Sequence, residues 1–199
     1  MKTFKQFITE NTQFQDIINR IEIVNGQKTI QGNVDLSDLN LTELPNLSDV
    51  VVIGDFYCSC NNLTSLQGAP KSVGGCFYCN NNNLTSLQGA PKSVEGYFDC
   101  TNNNLTSLQG APQSIEGNFY CYNNNLTSLQ GAPKSIEGDF SCYYNKLTSL
   151  QGAPNYVGGT FKTDKFSDAD YRKYIENRKM KEELDPETSD LFGGMIDTL

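Results

Sequence analysis

Seven cysteines, ten tyrosines and 23 acidic residues are the groups in this chain that could do chemistry, and no histidine accompanies them. Without an imidazole there is no Ser-His-Asp or Cys-His nucleophile, no HExxH metal site and no imidazole pH switch. Five cysteines, Cys58, Cys79, Cys100, Cys121 and Cys142, recur every 21 residues, each two places after a phenylalanine. On a strand that spacing puts the thiol and the ring on one buried face, and a small apolar thiol suits a core. Cys60 and Cys76 break the ladder. With Cys58 and Cys79 they read C-x-C…C-x-x-C, a spacing that suggests zinc. Strand alternation turns Cys76, which precedes Phe77, to the face opposite Cys79, so the four thiolates do not converge on one ion. Neither a metal nor a cofactor is expected, and Cys76 is expected to be an exposed or partly exposed thiol. The glycines do not cluster ahead of a helix as a phosphate loop requires. No pair of carboxylates falls in a recognisable pocket. The expectation is a non-enzymatic protein with no small-molecule substrate.

The elements that position these groups follow from the rest of the composition. The 199 residues suit one domain or one and a half. Fifteen basic against 23 acidic side chains leave a net charge of −8, which argues against a nucleic-acid or anionic-membrane surface. No apolar run approaches the length of a membrane span. The first residues, Phe4-Lys5-Gln6-Phe7-Ile8-Thr9-Glu10, lack the continuous apolar stretch of a secretory signal. Reduced thiols in a cytosol are therefore expected, and the odd cysteine count agrees. The Asn-x-Thr triplets at Asn40, Asn62, Asn83, Asn104 and Asn125 are by-products of a repeat rather than glycosylation acceptors.

That repeat decides the fold. LTSLQGAP begins at Leu63, Leu84, Leu105, Leu126 and Leu147, always 21 residues apart. The full unit reads G-x-F-x-C-x-x-N-x-L-T-S-L-Q-G-A-P-x-x-V/I-x, with a degenerate unit from Gly32 and a half unit from Gly159. Alternation of Phe and Cys with polar residues predicts a short strand with one buried face. One such unit cannot bury that face alone, so units stack and share a core. Asn61, Asn82, Asn103, Asn124 and Asn145 follow each strand, where an amide can both donate to and accept from backbone groups as the chain turns. The GAP segment carries Gly and Pro and has no helical period, so it is expected to be extended or turn-like.

The spacing F-x-C-x-x-N-x-L resembles the leucine-rich-repeat signature L-x-L-x-x-N-x-L over roughly Gly32 to Thr163. The GAP variant looks closest to the short repeats of bacterial leucine-rich-repeat effectors and of repeat proteins in large tailed bacteriophages. The resemblance implies a solenoid with parallel β-strands on its concave face, an extended or turn-like convex face and helical caps at both ends. Some of those effectors carry a catalytic ubiquitin-ligase domain with a cysteine nucleophile. Only residues 164–199 follow Thr163, none of them cysteine, so that activity is not expected here.

In such a fold the concave face is the usual binding surface. Its outward positions flank the buried Phe and Cys and differ in every copy: Asp55, Tyr57, Ser59; Cys76, Tyr78, Asn80; Tyr97, Asp99, Thr101; Asn118, Tyr120, Tyr122; Asp139, Ser141, Tyr143. Six of the ten tyrosines fall there, whereas Thr, Ser, Gln, Gly, Ala and Pro of the LTSLQGAP segment are identical in all five copies. Tyrosine suits interfaces because a large apolar ring with a polar tip loses little rotamer entropy. Asp55, Tyr57, Tyr78, Tyr97, Asp99, Tyr120, Tyr122, Asp139 and Tyr143 are the expected contacts to one protein partner, engaged through a basic patch. High strand propensity of Tyr is the plainer alternative.

Three segments result. Residues 1–31 are expected to form an amino-terminal helical cap, with Phe4, Phe7, Ile8, Phe14, Ile17, Ile18 and Ile21 at helical spacing over residues 3–21. Residues 32–163 form the solenoid of about six and a half repeats. Residues 164–199 form a carboxy-terminal helical cap and an acidic tail; Ser167 with Asp170 resembles a capping box, and Tyr171, Tyr174 and Ile175 supply an apolar stripe. The tail beyond Pro186 is either a frayed end or a docking peptide. The opening decapeptide MKTFKQFITE also resembles the head-targeting peptide of internal head proteins in T-even-like phages, which implies cleavage after Glu10 at an Ile8-Thr9-Glu10 site and a mature terminus at Asn11. The two resemblances together imply a phage-encoded protein of the infected bacterial cytoplasm or, if packaged, of the virion head.

Overall fold

A computed structural model describes residues 12–184. The expected cleavage residues Ile8, Glu10 and Asn11 lie outside the described residues, as does the tail beyond Leu184. Helix α1 (Thr12–Asn19) leads into β1 (Ile21–Val24) and β2 (Gln27–Ile30), an antiparallel hairpin. A helix through residue 21 and a wholly helical 1–31 segment are therefore not what forms. Asn25 and Gly26 explain the difference: both have positive φ, 51° and 78°, the pair a two-residue hairpin turn of the mirror-image type requires. Ile17 is buried, but Ile18 on the same expected stripe is exposed.

The chain then winds through β3 (Val34–Asp35), β4 (Val50–Val52), β5 (Phe56–Tyr57), β6 (Ser72–Val73), β7 (Phe77–Tyr78), β8 (Phe98–Asp99), β9 (Ser114–Ile115), β10 (Phe119–Tyr120), β11 (Ser135–Ile136), β12 (Phe140–Ser141), β13 (Tyr156–Val157) and β14 (Phe161–Lys162), and the described chain ends in α2 (Asp168–Leu184). These strands build a β-solenoid with parallel pairing. One wall, in the order β3-β5-β7-β8-β10-β12-β14, sets each repeat phenylalanine beside the next. A second wall contains β2, β4 and β6 and then β9, β11 and β13, joined through bridges from Val73 to Val94 to Ile115. This second wall occupies part of the arc expected to be merely extended or turn-like. After β2 its strands are two or three residues long, and the β-branched Val or Ile before each glycine corner packs inward against its copies.

The buried face is a set of ladders. Phe56, Phe77, Phe98, Phe119, Phe140 and Phe161 stack with ring centroids 5.0–5.8 Å apart. The five repeat cysteines are fully buried, and burial pushes the Cys58, Cys79, Cys100 and Cys121 thiols well up, so they remain protonated. Each repeat asparagine ties its coil to the one before. Asn103 Nδ2 donates to Cys79 O of the preceding coil at 3.1 Å and to Cys100 O of its own at 3.2 Å, while its Oδ1 accepts the Leu84 N–H at 2.9 Å. Asn61, Asn82, Asn124 and Asn145 repeat the arrangement. Among the described residues no buried side-chain nitrogen or oxygen lacks a partner.

Between the walls stands a glycine in every coil. A Cβ on Gly75 would meet Asp55 Oδ1 and, at 2.8 Å, the Gly54 carbonyl carbon; Gly96 would meet Cys76 Sγ at 2.7 Å. No larger residue fits, because the preceding coil lays both its backbone and a side chain against the corner. After each strand wall comes a residue in the left-handed region: Asn81, Asn102 and Asn123, but also Cys60 at φ 55° and Tyr144 at φ 52°. Asparagine tolerates this conformation; the other two bear strain.

Both ends of the stack meet side chains that serve its open backbone. At the amino end Arg20 Nη2 donates to Gln31 O and Asn33 O at 2.9 and 2.7 Å. At the other, Arg172 donates to Val157 O and Gly159 O, both at 2.7 Å, and Asp168 Oδ1 accepts the Phe161 N–H at 2.8 Å. In inner coils the equivalent groups bond to the next coil, as Gly158 N–H does to Ile136 O and Phe140 N–H to Thr160 O. Tyr171 lays its ring on Phe161 at 4.3 Å and continues the aromatic stack. Ser167 and Asp170 bond reciprocally, Ser167 N–H to Asp170 Oδ2 at 2.8 Å and Asp170 N–H to Ser167 Oγ at 3.2 Å, the capping box expected there.

Two substitutions test these ladders. Asn103→Leu leaves the buried Leu84 N–H without its acceptor and takes one of two donors from Cys79 O and Cys100 O, which Asn82 and Asn124 still serve, and should lower stability by about 1–3 kcal/mol, read from the urea midpoint. Cys60→Asn relieves a strained left-handed residue and should raise stability by about 0.5–1 kcal/mol.

Candidate functional site

The outward face of the phenylalanine wall carries the residues singled out by spacing. Strand register lines up Asp35, Tyr57, Tyr78, Asp99, Tyr120, Ser141 and Lys162 in one row along the stack. A second row, preceding each phenylalanine, holds Asn33, Asp55, Cys76, Tyr97, Asn118, Asp139 and Thr160. Tyr97 and Tyr143 are exposed; Asp55, Tyr57, Tyr78, Asp99, Tyr120, Tyr122 and Asp139 are half-buried. Three positions expected on this open face are not open: Ser59, Thr101 and Ser141 are buried. Ser59 Oγ donates to Asn80 Oδ1 at 2.5 Å, and the Thr101 N–H is drawn to Asp99.

The second row is largely structural. Asn33 Oδ1 accepts the Asp55 N–H at 2.9 Å, Asp55 Oδ1 accepts the Cys76 N–H at 2.7 Å, and Cys76 Sγ accepts the Tyr97 N–H at 3.2 Å. Beyond Tyr97 the chain of bonds resumes, from Asp139 N–H to Asn118 Oδ1 and from Thr160 N–H to Asp139 Oδ1, both at 2.7 Å. Each acceptor closes the backbone of the next coil at the glycine corner. Any short side chain with a lone pair serves, which is why Asn, Asp and Cys interchange there. Cys76 is thus an outward, half-buried acceptor, while Cys79 is buried in the core.

The three expected acidic contacts therefore differ. Asp55 Oδ2 also accepts the Tyr57 hydroxyl at 2.8 Å, which holds that phenol's pKa up. Asp139 Oδ2 pairs with Lys162 at 2.9 Å; the Thr160 N–H first, and Lys162 second, hold its carboxyl below the usual range. Asp99 accepts only Thr101, at 2.9 Å, and burial raises its pKa against the pull of that bond. Among the described residues no lysine or arginine pairs with it.

The tyrosines are ordered by one another. Tyr57 and Tyr78 stack at 4.9 Å and 5°. Tyr97 meets Tyr120 edge-on at 6.1 Å, and Asn118 Nδ2 donates to the Tyr120 hydroxyl at 2.6 Å. Burial, then contact with Cys76, pushes the Tyr78 phenol pKa up. Spacing alone missed Lys162; extending the row into the half unit, one place after Phe161, would have found it. On the other wall, near the hairpin, an open groove of about 450 Å³ is lined by Gln27, Lys28, Asp49, Lys71 and Lys92. Lys28 pairs with Asp49 at 2.7 Å and Lys71 donates to Gln27 at 2.8 Å, so these groups largely satisfy each other.

The aspartates should separate in stability measurements. Asp139→Asn removes a paired, hydrogen-bonded carboxylate and should cost about 1 kcal/mol near neutral pH. Its folded pKa is lowered, so the stabilisation is present above the unfolded pKa and is lost as pH falls through the folded one. For Asp99 the sign reverses: its folded pKa is raised, so its charge opposes folding increasingly as pH rises past the unfolded value. Asp99→Asn should match or exceed the parent in urea unfolding at about pH 7 and lose any advantage at about pH 3. Comparison with protein-family models, with curated proteins and with solved structures finds no match to this chain.

Proposed function

We propose that this protein is a non-enzymatic binding module of the leucine-rich-repeat type that holds one protein partner on the outward face of its phenylalanine wall. The observation that carries the reading is the clustering of six tyrosines on that single face, in rows that differ from coil to coil. The Thr and Gln rows of the LTSLQGAP segment, in contrast, are identical in all five copies although all but Gln151 are exposed. The Tyr57, Tyr78, Tyr97 and Tyr120 rings are held by stacking, edge contact and a hydrogen bond, so contact of these four with a partner costs little side-chain entropy. The leucine-rich-repeat assignment is supported by the F-x-C-x-x-N-x-L spacing and by the asparagine ladder. The reading of α1 and α2 as end caps is supported by Arg20, Arg172, Asp168 and Tyr171, which serve the open ends of the stack. Attribution to a phage, and a site of action in the infected bacterial cytoplasm, rest on the repeat type and the opening decapeptide.

Capture by the immobilised protein from infected-cell extract tests the proposal. Tyr78→Ala, Tyr97→Ala and Tyr120→Ala combined should abolish capture of the partner while lowering the melting temperature by only a few degrees, since the rings lie outside the phenylalanine core. Undiminished capture by a folded triple variant overturns it.

A further inference from the structure

We infer that Asp99, flanked by Tyr78 and Tyr120, forms a notch that accepts one arginine side chain of the bound protein. The assignment rests on the protein-binding reading of this face and names the chemistry its partner must bring.

Tyr78, Asp99 and Tyr120 lie on three successive strands in direct register. Neighbouring strands are about 4.8 Å apart, so the two tyrosines stand about 10 Å apart with the aspartate midway. Aspartate is short and tyrosine long, so the row dips at Asp99 between two aromatic walls. A planar guanidinium needs about 3.5–4 Å on each side, about 7–8 Å in all, so that width admits it with room to lie against either ring. The walls are fixed in place. Tyr57 covers one side of the Tyr78 ring, and Asn118 and Tyr97 hold Tyr120. The raised pKa of Tyr78 keeps its ring neutral and its face electron-rich.

The floor carries the charge. Asp55 and Asp139 are both engaged within the fold, the latter with Lys162. Asp99 has no cation among the described residues, and burial raises its pKa whereas hydrogen bonds and Lys162 lower that of Asp139. A half-buried carboxylate left without a counter-charge is one that an incoming cation relieves. Arginine is favoured over lysine because its flat, weakly hydrated group stacks on aromatic faces while donating to a carboxylate.

The test uses the whole protein and the peptide Gly-Gly-Arg-Gly-Gly, with citrulline in place of arginine as the neutral control. Tyrosine-ring NMR signals report binding. The arginine peptide should shift the Tyr78 and Tyr120 signals saturably, and the citrulline peptide should bind at least tenfold more weakly. Asp99→Asn, nearly isosteric, should remove the difference between the peptides, as should Tyr120→Leu. Glu116→Gln, which removes an exposed acid of the second wall, should leave it unchanged. Equal responses to both peptides in the parent overturn the notch, as does an arginine response that survives Asp99→Asn or falls equally with Glu116→Gln. Partner capture separates the two levels. Loss with the triple tyrosine variant but not with Asp99→Asn overturns the notch and leaves the binding face standing; loss with neither overturns both.

Discussion

One side-chain amide per coil, bonded to two coils at once, is the constraint on which the solenoid depends. Asn103 can satisfy Cys79 O, Cys100 O and Leu84 N–H together only if the two coils are stacked without slip. A one-residue register error would strand several buried polar groups, each costly in a dry interior. The same exact stacking brings phenylalanine onto phenylalanine and cysteine beside cysteine. It also brings each glycine corner against the one before it, where a Cβ has no room. The 21-residue period is thus maintained by hydrogen bonding as well as by burial.

This constraint extends to the candidate binding face. The row preceding each phenylalanine looks like free surface, yet most of its members close the backbone of the following coil. Tyr97 is the exception: it presents a ring there instead of a lone pair, and the bonded chain is interrupted. The row following each phenylalanine is less constrained, and the aromatic rings accumulate there. Asp99 sits in this freer row, at a position where burial works against its charge. A charge that opposes folding and has no internal counter-charge is the usual mark of selection for something other than stability.

How much of this was legible in the sequence depended on periodicity. The buried Phe and Cys, the coil length and the two-way bonding of the asparagines were readable because the same residues recur at the same interval. The hairpin was not, because Ile17, Ile18 and Ile21 fit a helical stripe and outweighed the Asn25-Gly26 turn signal. The second wall was missed because two-residue strands leave no alternation to detect. The structural role of Asp55 and Asp139 was hidden because their partners lie 21 residues away, and because Asn, Asp and Cys exchange freely in that role. Chemical variety at one position looked like binding diversity, where part of it was equivalence between hydrogen-bond acceptors.

The contacts of α2 have a consequence for how such a molecule can change its length. Arg172 and Asp168 address Val157 O, Gly159 O and Phe161 N–H, which are main-chain atoms that every coil presents in the same geometry. Tyr171 meets a phenylalanine that every coil also supplies. The terminal helix therefore recognises a generic coil and not one particular neighbour. Duplication or loss of a 21-residue block leaves that junction chemically unchanged while altering how many rows of side chains the face displays. Lineages of this protein could thus remodel the extent of the surface in whole steps, without any accompanying change where the stack terminates.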